Sequence, residues 1–137
     1  MFKGLKEHVR VLGKVNRKGE RQLVPVGTLV AYVDNGEVLV GYSKVNTTKK
    51  DKFYPENGVD LAEIRAVILK YRLEGFGIRV DRGGFAFVNV DTEPVKERIF
   101  PYAIQKALPA FLVRCEKYFK NTPLVKWAAL VRQVMPV

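Results

Sequence analysis

Two short apolar runs, TLVAYV at 28–33 and VLVGY at 38–42, flank Asp34, Asn35, Gly36 and Glu37. Asn and Gly tolerate the positive φ of a two-residue turn, so this pattern predicts an antiparallel β-hairpin. Further along, the period changes. Apolar residues recur at three- and four-residue steps over 59–74 and Gly75 offers a left-handed cap, so a helix is expected there. GFAFVNV at 84–90 follows a Gly-Gly pair and alternates as a strand does, with a shorter strand expected over 77–80. Asp91 to Pro94 predicts a helical turn. Pro101 opens a second main helix ending near Lys120, and Pro109 inside it is expected to kink or divide it. Asn121, Thr122 and Pro123 stop that helix, and 124–134 predicts a short final helix or packing segment.

The predicted class is α+β: a small antiparallel β-sheet with a β-hairpin, packed by two main α-helices. Residues 1–137 read as a single domain with a globular core over 23–137. Residues 1–22 hold seven basic residues and few large apolar ones. They are expected to form a loosely packed basic arm with a strand around Val9 to Val15. An apolar fraction of 47% with 28% charged residues suits a folded globular chain rather than a disordered one. No apolar run approaches the roughly 18 residues of a membrane span, and the N-terminal segment lacks the apolar core of a secretory signal. One cysteine, Cys115, cannot build a disulfide framework and suits a reducing, cytoplasmic setting. With a single His and a single Cys, no transition-metal site is expected.

Charge narrows the function classes. The 24 basic and 14 acidic residues give +10, and both halves of the chain share the excess. Such a field points to nucleic acid, a nucleotide or another polyanion as partner. The alternative is a basic protein whose lysines only keep it dispersed. GYSKVNTTKKDKF at 41–53 brings Lys44, Lys49, Lys50 and Lys52 close together between Tyr42 and Phe53. Thr47 to Lys50 are expected as an exposed loop, with Tyr42, Lys44 and Asn46 finishing a strand and Lys52 and Phe53 leading into the first helix.

A helical wheel over 61–73 puts Tyr71, Ile64, Ile68, Leu61, Leu69, Ala62, Leu73 and Ala66 in one broad apolar arc. Arg65 and Arg72 fall inside that arc, where an unpaired charge is costly to bury. Each either lays its stem on the core with its head in water, or directs its guanidinium into a cavity or interface. In the second helix Ile104, Leu108, Phe111, Leu112, Cys115 and Phe119 form one apolar stripe, so Cys115 is expected to be a buried structural thiol. Arg114 flanks that stripe beside Tyr118, either as rim packing or as an anion contact between subunits. On 84–90, Phe85, Phe87 and Asn89 share a face. That face suits base stacking and edge reading, or packing beneath a helix.

Catalytic signatures are missing from the chain. It has no Walker-type phosphate loop, no Gly-x-Gly-x-x-Gly and no Gly-x-Ser-x-Gly elbow. Ser43 is the only serine and His8 the only histidine, with no adjacent residue to orient them. No catalytic residue, metal or cofactor is assigned, and the sequence argues for binding rather than turnover.

Gly41-Tyr42-Ser43, Asp51-Lys52-Phe53, Leu61-Ala62, Arg65-Ala66 and Arg114-Cys115 with Tyr118 occur in an order that resembles the phage-encoded Thoeris anti-defence sponges. The resemblance covers about 38–120, with weak similarity over 74–100; the basic segment before Gly27 lies outside it. It implies a non-enzymatic phage protein acting in the bacterial host cytoplasm. Such a protein sequesters a cyclic nucleotide immune signal of the cyclic ADP-ribose type, or cyclic oligonucleotides. It also implies a homo-oligomer, a hexamer built from dimers, with ligand pockets at subunit interfaces. Phe85 or Phe87 with Asn89 would grip the ligand, and Arg114 would meet cyclic oligonucleotides. The bottom-up counterpart is electrostatic capture by Arg65, Lys44 and Lys52, with charge-assisted hydrogen bonds to phosphate. The rival reading is a small DNA- or RNA-binding or inhibitory protein whose basic arm contacts phosphates.

Overall fold

Asn35 and Gly36 adopt φ values of 50° and 82°, the left-handed pair that a tight hairpin turn demands. They join β2 (Leu23–Asp34) to β3 (Glu37–Lys44), paired antiparallel from Asp34↔Glu37 down to Gly27↔Lys44. The computed structural model describes residues 2–45, 55–81, 84–89 and 99–135. Beyond the predicted hairpin, β1 (Leu5–Leu12) pairs antiparallel with β2, giving a three-stranded sheet in the order β1-β2-β3. The expected basic arm is therefore partly built into the main sheet, and Val9 is buried in the core.

Helix α1 (Pro55–Arg72) follows and is closed by Gly75 at φ 83°. Strands β4 (Phe76–Asp81) and β5 (Gly84–Asn89) form a separate two-stranded antiparallel sheet. Helices α2 (Tyr102–Tyr118) and α3 (Lys126–Val134) complete the chain. The α+β class is as predicted, with α3 as a third helix. Pro109 does not divide α2, which runs through it as one helix. The turn expected at 91–94 and the loop at 47–50 lie outside the described residues. Among the described residues, no helix is long and apolar enough to cross a membrane.

Strand alternation decides which layer each side chain joins. Thr28, Val30, Leu39, Gly41 and Ser43 face α1. A Cβ on Gly41 would lie 2.0 Å from the Ala62 carbonyl oxygen, so glycine there is what lets helix and sheet approach so closely. Leu29, Ala31, Val38 and Val40 face the other way, into the larger core with Ile104, Leu108, Phe111 and Leu112 of α2 and Trp127 and Val131 of α3. A parallel bridge between Val38 and Leu124 ties the approach to α3 onto the β3 edge, with Val38 N–H donating to the Pro123 carbonyl at 2.8 Å. The sheet is thus covered by α1 on one side and by α2, α3 and β5 on the other.

Candidate anion-binding surfaces

Strand β3 pairs with β2 only as far as Gly27, whereas β1 stays paired with β2 down to Leu12↔Leu23. Past that point Gly13 N–H donates to the Gln22 carbonyl at 2.9 Å and Asn16 N–H to the Glu20 carbonyl at 2.8 Å. The turn is fixed locally: the Asn16 side-chain oxygen accepts from the backbone N–H of Lys18 and of Glu20, each at 2.9 Å, and Gly19 takes φ 76°. Residues 10–25 therefore form a two-stranded ribbon, with no third strand beside it among the described residues. A register irregularity between Val9 and Arg10 marks its root, as bulges often do where a strand pair leaves its sheet.

Both faces of this ribbon are wet. Val11 and Val24 are each 38% exposed, and Leu12 and Leu23 61% and 63%. Arg10, Lys14, Arg17, Lys18 and Arg21 are all exposed, and Glu20 is the one carboxylate among them. Among the described residues, no ion pair neutralises any of the five. The register places Arg10 and Leu12 on the same face as Leu23 and Pro25, with Lys14 and Arg21 continuing it toward the tip. The signal in the sequence was the basic density of 1–22; the regular hydrogen-bonded ribbon was missed because its apolar pairs are too few to read as a strand pair.

A second cationic feature sits at the far end of β3. Arg65 reaches from α1 to the Tyr42 ring, with the guanidinium carbon 5.7 Å from the centroid. This distance is within cation–π range. Both side chains are half-buried. Tyr42 is fixed at its other end, its hydroxyl donating to the Ile99 carbonyl at 2.7 Å and its ring packing 4.9 Å from Phe100. Lys44 is exposed two residues on, along the same side of β3. Of the ten residues expected to bind, the structure thus joins Tyr42 and Arg65 directly and places Lys44 close by in the chain. Asn46, Lys52 and Phe53 lie outside the described residues.

The expectation of a stacking face on β5 requires correction. Phe85 and Phe87 present no stacking surface: they are 0% and 1% exposed. Their rings meet each other at 5.8 Å and meet Phe100 at 6.2 and 6.0 Å, and Phe87 also meets Trp127 at 6.0 Å. The intervening Ala86 is buried too, so β5 is covered on both sides rather than offering one face to a ligand. Asn89, at the end of β5 opposite Phe76, is half-buried and already engaged. Arg114 pairs with Glu7 of β1 at 2.5 Å, tying α2 to the edge strand. The wheel over 61–73 also divides differently. Ala62, Ala66, Leu69 and Leu73 are buried against the sheet, while Leu61, Ile64, Ile68 and Tyr71 point outward at 40 to 66% exposure. Arg65 is half-buried at the border of the two faces and Arg72 is exposed.

Cys115 is buried as expected, and burial pushes its thiol up to about 12. His8, Thr28 and Ser43 form one row across the sheet, a proximity that no sequence spacing signals. His8 Nδ1 lies 3.0 Å from Thr28 Oγ1, and Ser43 Oγ donates to the Gly58 carbonyl at 2.8 Å. Both hydroxyls are buried, which makes the row a tie between sheet and α1 rather than a reachable nucleophile. Gln105 performs a similar task, donating to the Phe85 carbonyl at 2.5 Å. No family model matches the chain, and neither does any curated protein or solved structure.

Proposed function

We propose that the protein is a non-catalytic polyanion binder whose β1–β2 ribbon lies along a nucleic-acid backbone. The ribbon itself carries this reading: five exposed cations against one carboxylate on a strand pair whose side chains are largely exposed. A duplex presents a negative charge about every 1.7 Å along its axis, and its major groove, roughly 12 Å wide, admits a two-stranded ribbon. At about 3.4 Å per residue, the stretch from Arg10 to Asn16 spans roughly 20 Å, enough to follow several phosphates. Asn16 is held in the turn, which leaves Gln22 as the one exposed amide among five cations, so phosphate contact outweighs base reading and favours binding that is indifferent to sequence.

Fluorescence anisotropy with labelled duplex and single-stranded probes, read over a salt series, tests this. Five phosphate contacts predict that log K falls with log salt at a slope of about −4.5 on duplex. The variant K14Q/R17Q/K18Q/R21Q leaves one contact and should bring the slope to about −1. The same slope in wild type and variant, or no binding at low salt, would refute the reading. Equal affinities for unrelated sequences are part of the expectation.

A second reading is favoured by one observation, the half-buried Arg65 guanidinium over Tyr42. In it the protein captures and sequesters a cyclic nucleotide signal, as the resemblance to the Thoeris anti-defence sponges implies. The edge donors of Arg65 and the Lys44 ammonium hold the phosphates. Phe85 and Phe87 take no part, so capture within one subunit rests on charge rather than base stacking. Calorimetric titration with cyclic ADP-ribose isomers, and mass spectrometry of material released on heating, measure it. Binding that Arg65→Ala abolishes supports it; no heat and no released nucleotide would sink it.

A further inference from the structure

The outward face of α1 follows a rule that the sheet does not explain. Leu61, Ile64, Ile68 and Tyr71 are spaced three, four and three residues apart, the a/d pattern of a coiled-coil seam. They are 40%, 61%, 54% and 66% exposed, with Val67 beside them at 40%. They lie on the side opposite Ala62, Ala66, Leu69 and Leu73, which α1 already buries against β2 and β3. Solvated helix faces are ordinarily polar, and an apolar stripe of this length marks an interaction surface. Isolated exposed valines elsewhere need no such account.

Charge identifies the occupant. With Leu61 and Ile68 at a and Ile64 and Tyr71 at d, the two e positions are Arg65 and Arg72. The g positions are Asp60, Val67 and Glu74. One flank of the stripe is thus basic and the other is acidic or neutral. In a parallel pair of identical helices, each g residue faces the e residue five positions on in the partner. Asp60 of one copy then meets Arg65 of the other, twice by symmetry, and Val67 meets Arg72. In an antiparallel pair e faces e and g faces g, which sets arginine against arginine and Asp60 against Glu74. The contact of Arg65 with Tyr42 does not oppose the parallel arrangement, because a cation over an aromatic ring can still donate to a carboxylate.

We propose that this face of α1 is a self-association surface on which a second copy of the chain packs its own α1 in parallel, about a two-fold axis running along the helices. The sheet of each copy lies behind its helix and does not intrude on the contact. The proposal is independent of the ribbon, and it shares Arg65 with the second functional reading.

Sedimentation equilibrium over a dilution series tests it on the full chain. Wild type is expected to dimerise. Ile68→Glu places a charge on an exposed position, so it should keep the native circular dichroism and sediment as a monomer. Asp60→Arg discriminates the orientation. In the parallel dimer it sets a second guanidinium against Arg65 in both symmetric contacts and should weaken dimerisation by roughly tenfold. Adding Arg65→Asp should restore it. In an antiparallel dimer Asp60→Arg would instead relieve repulsion and tighten association. A monomeric wild type at every concentration, an Ile68→Glu dimer, or tighter association by Asp60→Arg each overturns the proposal.

Discussion

Gly41→Ala is expected to be among the most damaging single-methyl additions to this protein, and its cost can be worked from the contacts. The new Cβ would lie 2.0 Å from the Ala62 carbonyl oxygen, 2.7 Å from the Ala66 nitrogen and 2.8 Å from the Ala66 Cβ. Two of these are backbone atoms of α1, which cannot rotate away as a side-chain tip would. The helix has to retreat as a body, loosening Val59, Ala62, Ala66, Leu69 and Leu73 from the sheet together. Overpacking costs about 1–3 kcal/mol where side chains absorb it, so about 3 kcal/mol is the expectation here. Against a typical total of about 5–15 kcal/mol this is a large share, equivalent to roughly 10 °C in Tm for a domain of this size. Urea unfolding followed by circular dichroism measures it as a lower midpoint with an unchanged m value. Gly36→Ala is the companion variant. Its φ of 82° is strained for alanine, but open space surrounds it, so it should lose only about 1–2 kcal/mol. A Gly41→Ala protein within about 0.5 kcal/mol of wild type would refute the close α1–β3 approach, and with it the placement of Arg65 over Tyr42.

Phe87→Ala should cost about 3–5 kcal/mol in the same urea assay, because it empties the contact between Phe85, Phe100 and Trp127; a change near zero would reopen β5 as a ligand-facing strand. Cys115, with its thiol pushed up to about 12, should resist alkylation in the native protein and react once urea unfolds it. Rapid native labelling, followed by mass spectrometry, would contradict its burial in α2. The His8 pKa is lowered by burial and then by the charges of Arg10 and Lys6. Its contribution to stability is therefore complete above its ordinary value of 6.5 and declines as pH falls through that value toward the lower folded one. Urea midpoints at roughly pH 7.5 and pH 5 should differ less in His8→Gln than in wild type, and an equal difference would show that His8 is not the group responsible.

Neighbours along the chain decide much of the local structure. The β2–β3 hairpin follows from the two turn residues that accept positive φ, and α1 from its three- and four-residue periodicity closed by a glycine. The stripe of α2 and the burial of Cys115 follow from the same short-range geometry. The pairing of Tyr42 with Arg65 was half legible, since one residue ended a strand and the other stood on a helix face where a charge is costly. Tertiary structure decided the rest, because burial is a property of what lies opposite. A wheel sees α1 as one wide apolar arc, yet the sheet covers only the alanine and leucine side and leaves Leu61, Ile64, Ile68 and Tyr71 to another partner. Alternation cannot tell a stacking face from a core face on β5; Phe100 and Trp127, close to β5 only in the fold, turn Phe85 and Phe87 inward. Cationic residues spread over 1–22 read as an arm, and only the register with a β2 longer than its hairpin partner gathers five of them onto one projecting ribbon.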